Sequence, residues 1–147
     1  MAAVIYLYDV AVSKIVDDTH SVGDTYKVEL LNNSATFTAS DTTKAAVDNS
    51  GAYEVTSTEW VTGGPSLTSV VKQLATTNDA VFDAADVDVT ASTDAIGPAY
   101  NALIYNSTDN TLLAFISFGE AKTADVGTHF IITWPTTGIV NFGYTSP

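Results

Sequence analysis

The chain has 147 residues, about the size of one domain, and its 17 acidic residues face five basic ones for a net charge of −12 at pH 7. All five basic residues are lysines, and a chain without arginine or clustered positive charge is not expected to bind nucleic acid. The absence of cysteine excludes disulfides, thiolate catalysis and zinc–thiolate sites, and it fits folding in a reducing cytoplasm.

The acidity and the N-terminal sequence both bear on partners. An excess of negative charge favours either a basic partner surface or simple solubility, and charge alone does not separate the two. The apolar run at residues 2–8 has no basic segment before it, and no later run reaches the roughly 20 apolar residues of a membrane span. We therefore expect neither secretion nor a membrane partner.

An N-terminal arm is predicted at residues 1–20, and a single β-domain is predicted at residues 21–147. The apolar half of the arm alternates as a strand or an extended segment, with three side chains on one side: Val4, Tyr6 and Tyr8. A short helical turn is expected at residues 9–17, before a polar break.

The first strand of the domain is predicted at residues 25–31, with one face in the core and the other in water. Further short strands are expected at residues 35–39 and 52–57. One helical turn lies between them, capped by Asp41 or Thr42.

We expect the stretch at residues 54–67 to organise the fold, because it joins a β-rich segment to a turn that redirects the chain. Trp60 can bury a large apolar area, while Gly63 and Gly64 allow backbone angles that a side chain forbids. Pro65 fixes its own φ and biases Gly64 toward an extended conformation. We interpret Gly63-Gly64-Pro65 as a structural turn and expect Gly64→Val to lose stability.

Residues 66–75 fit two interpretations, because their apolar residues have helical spacing behind a possible Ser66 cap. We favour a strand, since a turn at residues 76–79 and a returning strand at residues 80–82 complete a hairpin. A helical turn capped by Asp83 is expected next.

Five more short strands are predicted downstream: at residues 87–90, 99–105, 111–118, 128–134 and 138–142. The second and third of these are the expected centre of the sheet, and residues 119–127 are an expected polar connection. Roughly eight to ten strands at this spacing predict an all-β fold, an antiparallel β-sandwich that is jelly-roll-like. Nine side chains form the predicted core: Val28, Leu30, Trp60, Leu67, Phe82, Ile104, Phe115, Ile132 and Trp134.

Four pieces of the sequence, in order, resemble a family of small tailed-phage and prophage structural proteins, close to head decoration or cement proteins. The first two are the strand at residues 24–31 and the stretch at residues 54–67, with its aromatic residue, Gly-Gly pair and leucine. The others are Val81-Phe-Asp-Ala-Ala-Asp-Val87 and the C-terminal part that includes Ile131-Ile-Thr-Trp134. Trp60 stands where tyrosine is usual in the family.

The resemblance implies a non-enzymatic virion protein that is made in the host cytoplasm and stabilises the head by binding the major capsid protein on the capsid exterior. It implies a homotrimer at local three-fold positions, without a cofactor. The expected contact with the capsid or a neighbouring subunit is the apolar N-terminal segment with Val4, Tyr6 and Tyr8. The alternatives are a tail-tube, tail-tip or carbohydrate- or receptor-binding virion component, which the same kind of fold serves.

Candidate chemistry is sparse, and we predict no catalytic, cofactor-binding or metal site. Asp83, Asp86 and Asp88 offer carboxylates to Ca²⁺, but their spacing lacks the glycine and terminal glutamate of an EF-hand loop. His20 and His129 lie in no nucleophile or metal motif.

Carboxylate pairs for glycoside hydrolysis are defined by a distance in space, which the sequence does not give. Four aromatic residues are candidates for stacking on a sugar, although strand-spaced aromatics are more often core or interface: Tyr53, Trp60, Tyr100 and Tyr144.

Overall fold

The computed structural model describes residues 3–76 and 79–143, and this part of the chain forms ten strands and two short helices. In chain order they are β1 Val4–Leu7, α1 Asp9–Val16, β2 Tyr26–Leu31, α2 Lys44–Val47, β3 Glu54–Val55, β4 Val71–Thr76, β5 Asp79–Asp83, β6 Val87–Thr90, β7 Ile96–Asn106, β8 Thr111–Ala124, β9 His129–Ile132 and β10 Val140–Gly143. The prediction of an all-β protein is confirmed.

Three antiparallel sheets build the sandwich-like fold. The largest has five strands in the order β1-β8-β7-β2-β3, and the others have the orders β10-β5-β4 and β6-β9. The β7–β8 hairpin lies at the centre of the large sheet, with Leu103 opposite Phe115. The predicted central pair of strands is therefore confirmed.

The predicted core is confirmed in full, since all nine side chains are buried. Trp60, Phe82, Val28, Leu30 and Ile104 have no exposed surface at all. Their rings and branched chains supply most of the apolar area removed from water, at about 25 cal/mol per Å². Edge contacts between aromatic rings connect the layers, with the ring centroids of Trp60 and Phe130 5.4 Å apart and those of Tyr26 and Phe82 4.9 Å apart.

Both faces of β2 are covered, so the expectation of one wet face is wrong. Val28 and Leu30 lie on one face, while Glu29 and Leu31 lie on the other, and all four are fully buried. The segment between β2 and β3 covers this second face, where α2 buries Val47. Glu29, which lies on the face of β2 that was expected in water, is therefore an interior residue.

The N-terminal residues belong to the sheet and do not form a separate arm. β1 pairs antiparallel with β8 from Val4 opposite Ser117 to Leu7 opposite Ala114. α1 packs against β8 and buries Ala11, and Tyr8 is fully buried. Among the described residues, the packing shows no separation at residue 20, where the boundary between arm and domain was predicted.

Residues 35–39 form no strand, because their carbonyl groups bond to other partners. Asn101 Nδ2 donates to the carbonyl oxygens of Asn32 and Ala35, and the Asp9 N–H donates to Ala39 O.

Residues 84–86 form no helical turn, because Trp134 hydrogen-bonds to them. Its indole N–H donates to Ala85 O, and its backbone N–H donates to Asp86 Oδ1.

Three predicted boundaries are also corrected. β8 continues to Ala124 through the expected polar connection, since its polar residues still pair with the beginning of β7. β4 begins only at Val71, and Ser66 makes a single bridge to Lys27. α2 begins after Thr43 without a side-chain cap from Asp41 or Thr42. The predicted turn at residues 76–79 lies partly outside the described residues.

The Gly63-Gly64-Pro65 turn fixes the organising stretch against β2. Gly63 and Gly64 have φ values of +83° and +72°, which side chains rarely adopt. A Cβ on Gly64 would lie 1.7 Å from the carbonyl oxygen of Val28. The Val28 N–H donates to Pro65 O, and Tyr105 Oη donates to Gly63 O at 2.8 Å. The turn is therefore a close backbone approach to a central strand.

Candidate functional site

An apolar groove opens between the beginning of β1, the middle of β8 and the segment that runs from β9 to β10. Its cavity volume is about 890 Å³. Large apolar side chains line most of it, including Ile5, Ile116, Phe118, Phe130, Trp134 and Ile139. At its surface Val4 is 46% exposed and Ile131 is 55% exposed, which is high for branched aliphatic side chains.

The groove is close to neutral in a strongly acidic chain. No carboxylate is among the described residues that line it, and its titratable side chains are Lys122 and His129. Each of these has an acidic neighbour, since Lys122 Nζ lies 2.6 Å from Glu120 Oε1 and His129 Nδ1 lies 2.6 Å from Asp88 Oδ1. The groove therefore suits an apolar occupant.

Two sheet edges border this groove. Within the described residues, β1 hydrogen-bonds only to β8 and β9 only to β6. An edge strand presents backbone N–H and C=O groups that pair with an added strand, while neighbouring pockets receive alternate side chains. The arrangement can therefore bind an extended segment of another protein.

The three residues expected to form the N-terminal contact have different environments. Val4 and Tyr6 lie on the same side of β1, and Tyr6 is 41% exposed with its ring stacked on Phe37 at a centroid distance of 5.0 Å. Tyr8 also packs against Phe37 but is fully buried. Only Val4 and Tyr6 can therefore contribute side chains to a contact surface.

A buried group of charged side chains forms a second candidate site. Glu29 lies on β2, Asp48 directly follows α2, and Glu54 begins β3. One carboxylate oxygen from each lies within 4.8 Å of the other two, and no other such group of potential metal ligands occurs within residues 3–76 and 79–143. We call these three residues the carboxylate cluster.

Lys44 is the cation that contacts the carboxylate cluster. Its Nζ lies 2.7 Å from Glu29 Oε2 and forms an ion pair with Asp48. Glu29 and Asp48 thus share one ammonium group, although Glu29 has no exposed surface and Asp48 is 1% exposed. Burial raises the pKa of Glu29 to about 7, in opposition to the pairing with Lys44. Burial lowers the pKa of Lys44, but hydrogen bonds to Asp48 and Glu29 outweigh that effect and raise it.

The carboxylate cluster does not have the access that glycoside hydrolysis requires. Two of its three carboxylates are buried, and the opening beside them has a volume of about 250 Å³. A sugar ring must lie between the two carboxyl groups of a glycosidase. Glu29 and Asp48 cannot contact such a ring in this conformation.

The other predicted candidates are dispersed. Asp86 accepts a hydrogen bond from the Trp134 backbone, Asp88 pairs with His129, and Asp83 is the last residue of β5. His129 Nδ1 lies 2.6 Å from Asp88 Oδ1 and 3.4 Å from Thr90 Oγ1. Because both groups approach the same ring nitrogen, the imidazole cannot pass a proton between them as a catalytic triad does.

The described aromatic residues considered for sugar stacking differ in their exposure. Trp60 is fully buried, and Tyr53 and Tyr100 are half-buried on different strands and loops. Tyr144 lies outside the described residues. Of the three described candidates, Trp60 therefore cannot stack on a sugar.

His20 is a buried residue with a structural role. Its Nε2–H donates to Leu112 O at 3.2 Å, and Asn106 Nδ2 donates to its Nδ1 at 3.3 Å, so the neutral ring uses both nitrogens. Burial is the largest effect on the pKa of His20 and lowers it, although Leu112 O and the carboxylates of Asp109 and Asp24 oppose the shift.

We expect His20 to make folding stability depend on pH. The unfolded chain takes up a proton near pH 6.5, whereas the folded chain does so only at lower pH, so the stabilisation from neutral His20 is lost as the pH falls below about 6.5. Urea unfolding at a series of pH values should show that the advantage of the wild type over His20→Gln is largest above that pH and shrinks below it. His129→Gln, which removes an exposed imidazole, is the control, and parallel curves for wild type and His20→Gln would contradict the assignment.

Comparison with known proteins returned no significant match, whether to a protein-family model, a curated protein or a solved structure. Among the helices of residues 3–76 and 79–143, none is long and apolar enough to cross a membrane.

The sequence signals for the two candidate sites were weak. The groove combines β1, β8 and β9, which are far apart in the chain, so no local pattern could predict it. Glu29 had one signal, since it is an acidic residue within a six-residue strand whose other residues are mostly apolar. Asp48 and Glu54 lie in polar surroundings, where carboxylates are ordinarily exposed.

Proposed function

We propose that the chain is a non-enzymatic structural protein of a tailed-phage virion, a capsid decoration or cement protein that binds the major capsid protein on the capsid exterior and stabilises the head. The observation that carries this proposal is the neutral apolar groove bordered by two sheet edges. The family resemblance of the sequence supports the capsid protein as the partner.

The groove supports an assembly role because its chemistry is that of a protein interface. Its apolar interior is bordered by the exposed side chains of Val4 and Ile131 and has no carboxylate among its described lining residues, whereas the chain as a whole carries 17 acidic residues. We propose that an extended apolar segment of the major capsid protein lies in the groove and hydrogen-bonds to the edge of β1 or β9. The acidic surface outside the groove favours a basic capsid surface.

Repeated binding to a symmetric lattice would strengthen such a contact. We propose a homotrimer at local three-fold positions, as the resemblance to cement proteins implies. In any such oligomer each additional subunit binds at a high effective concentration once the first is in place. Light scattering should then give a mass three times the 15.4 kDa of the chain.

Substitutions at the mouth of the groove test this function. We expect Val4→Glu and Ile131→Glu each to lower the affinity for undecorated heads about tenfold or more, because a carboxylate would be desolvated in an apolar contact. Sedimentation with purified heads measures this affinity. Both side chains are half-exposed, so the melting temperature should change little.

Val126→Glu is the matched control, because Val126 is 57% exposed and lies outside the groove. It should bind heads as the wild type does. Equal binding by all three variants would exclude the groove as the contact, and wild-type binding to tails alone would favour the tail alternatives. Deletion of residues 1–8 does not give a clean test, since it removes a paired strand and the buried Tyr8.

A further inference from the structure

We propose that Glu29, Asp48 and Glu54 bind a hard divalent cation, and that Ca²⁺ fits the site best. This inference concerns the side of the large sheet that α2 covers, and it is independent of the proposed function. It rests on the spacing of the carboxylates, their burial and their unpaired oxygens.

The spacing suits Ca²⁺. Oxygen ligands lie roughly 2.3–2.6 Å from Ca²⁺, so two ligands of one ion are at most about 5 Å apart. One oxygen from each of the three carboxylates lies within 4.8 Å of the others. All three can therefore contact one Ca²⁺ ion with small adjustments.

Two side chains of the carboxylate cluster each pair one oxygen with Lys44 and keep a second oxygen that can coordinate a cation. Glu29 Oε1 and Asp48 Oδ1 are buried and have no hydrogen-bond partner among the described residues. Buried carboxylate oxygens are ordinarily paired or coordinate a metal, because losing water without compensation is costly. Glu54 is satisfied on one oxygen, which accepts a hydrogen bond from the Gly63 N–H.

Lys44 competes with the cation for the same carboxylates. When all three carboxylates are ionised, its ammonium group neutralises one negative charge and leaves two. Its flexible side chain is 19% exposed beside an opening that Ser50, Thr62 and Asn110 also line, so it can turn toward solvent when a cation enters. The hydroxyl and amide oxygens of that opening are further ligands of the type that Ca²⁺ prefers.

Thermal unfolding of the full chain tests the proposal, with CaCl₂ added to protein freed of metal by a chelator. Saturating Ca²⁺ should raise the melting temperature of the wild type by about 5 °C or more. Glu29→Gln and Glu54→Gln should each lose most of this shift, and Glu54→Gln decides the matter if the other variant does not fold. Asp88→Asn, which changes an exposed carboxylate paired with His129, should keep the full shift.

Two results would overturn the proposal. One is the absence of any shift in the wild type at about 10 mM Ca²⁺, roughly ten times the weakest dissociation constant of extracellular Ca²⁺ sites. That result would mean that a proton and Lys44 alone neutralise the cluster. The other is a shift of equal size in Glu54→Gln and the wild type, which would place Ca²⁺ elsewhere on the acidic surface.

Discussion

Gly64→Ala should destabilise the protein by about 4 kcal/mol or more, a large part of the stability of a typical domain. The added Cβ would lie 1.7 Å from Val28 O and 2.5 Å from Val28 C, and both are backbone atoms of a strand between two neighbours. Neither the strand nor the turn can move without breaking the hydrogen bond from Val28 N–H to Pro65 O. Urea unfolding or the soluble yield measures the loss.

The matched control for this change is Gly127→Ala. Gly127 also has a positive φ, +87°, but a Cβ added there would have no other atom within 4 Å. Only the backbone strain should then count, at about 1 kcal/mol. If the two variants lost the same stability, the contact with Val28 would not be the reason for a glycine at position 64.

Lys44→Gln has the second largest expected effect, a loss of about 3 kcal/mol when measured in the presence of a chelator. The substitution leaves Glu29 and Asp48 buried without a cation, and breaking a buried ion pair by removing one partner is strongly destabilising. Chemical unfolding monitored by tryptophan fluorescence reports the change, since Trp60 and Trp134 are both buried.

Lys122→Gln is the control for the loss of a lysine. Lys122 pairs with Glu120 at the surface, where the side chains are 44% and 60% exposed, so solvent screening leaves the pair with little effect on stability. A loss for Lys44→Gln as small as for Lys122→Gln would show that the buried carboxylates are neutralised without the lysine.

The sequence allowed prediction of the features that depend on local pattern. Two apolar runs on either side of a polar loop located the central hairpin of β7 and β8. Alternation with period two located Val28 and Leu30, the buried side chains on one face of β2. The Gly63-Gly64-Pro65 turn was predictable for a similar reason, since few other residues adopt its backbone angles.

The features that were missed depend on contacts between distant segments. Residues 119–124 are polar yet extend β8, because the beginning of β7 supplies their hydrogen bonds. Glu29 was expected in water, but α2 and the loops around it cover that face of β2. The groove and the carboxylate cluster each combine three segments of the chain, and strand alternation carries no information on such combinations.

The proposed function is tested most directly by cryo-EM of tailed-phage particles mixed with the purified chain. If the chain is a capsid decoration protein, we expect density for its fold on the outer surface of the capsid, around local three-fold positions, with the groove between β1 and β9 against the major capsid protein. Density for this fold only on the tail, or on the capsid with the groove facing solvent, would contradict the proposal.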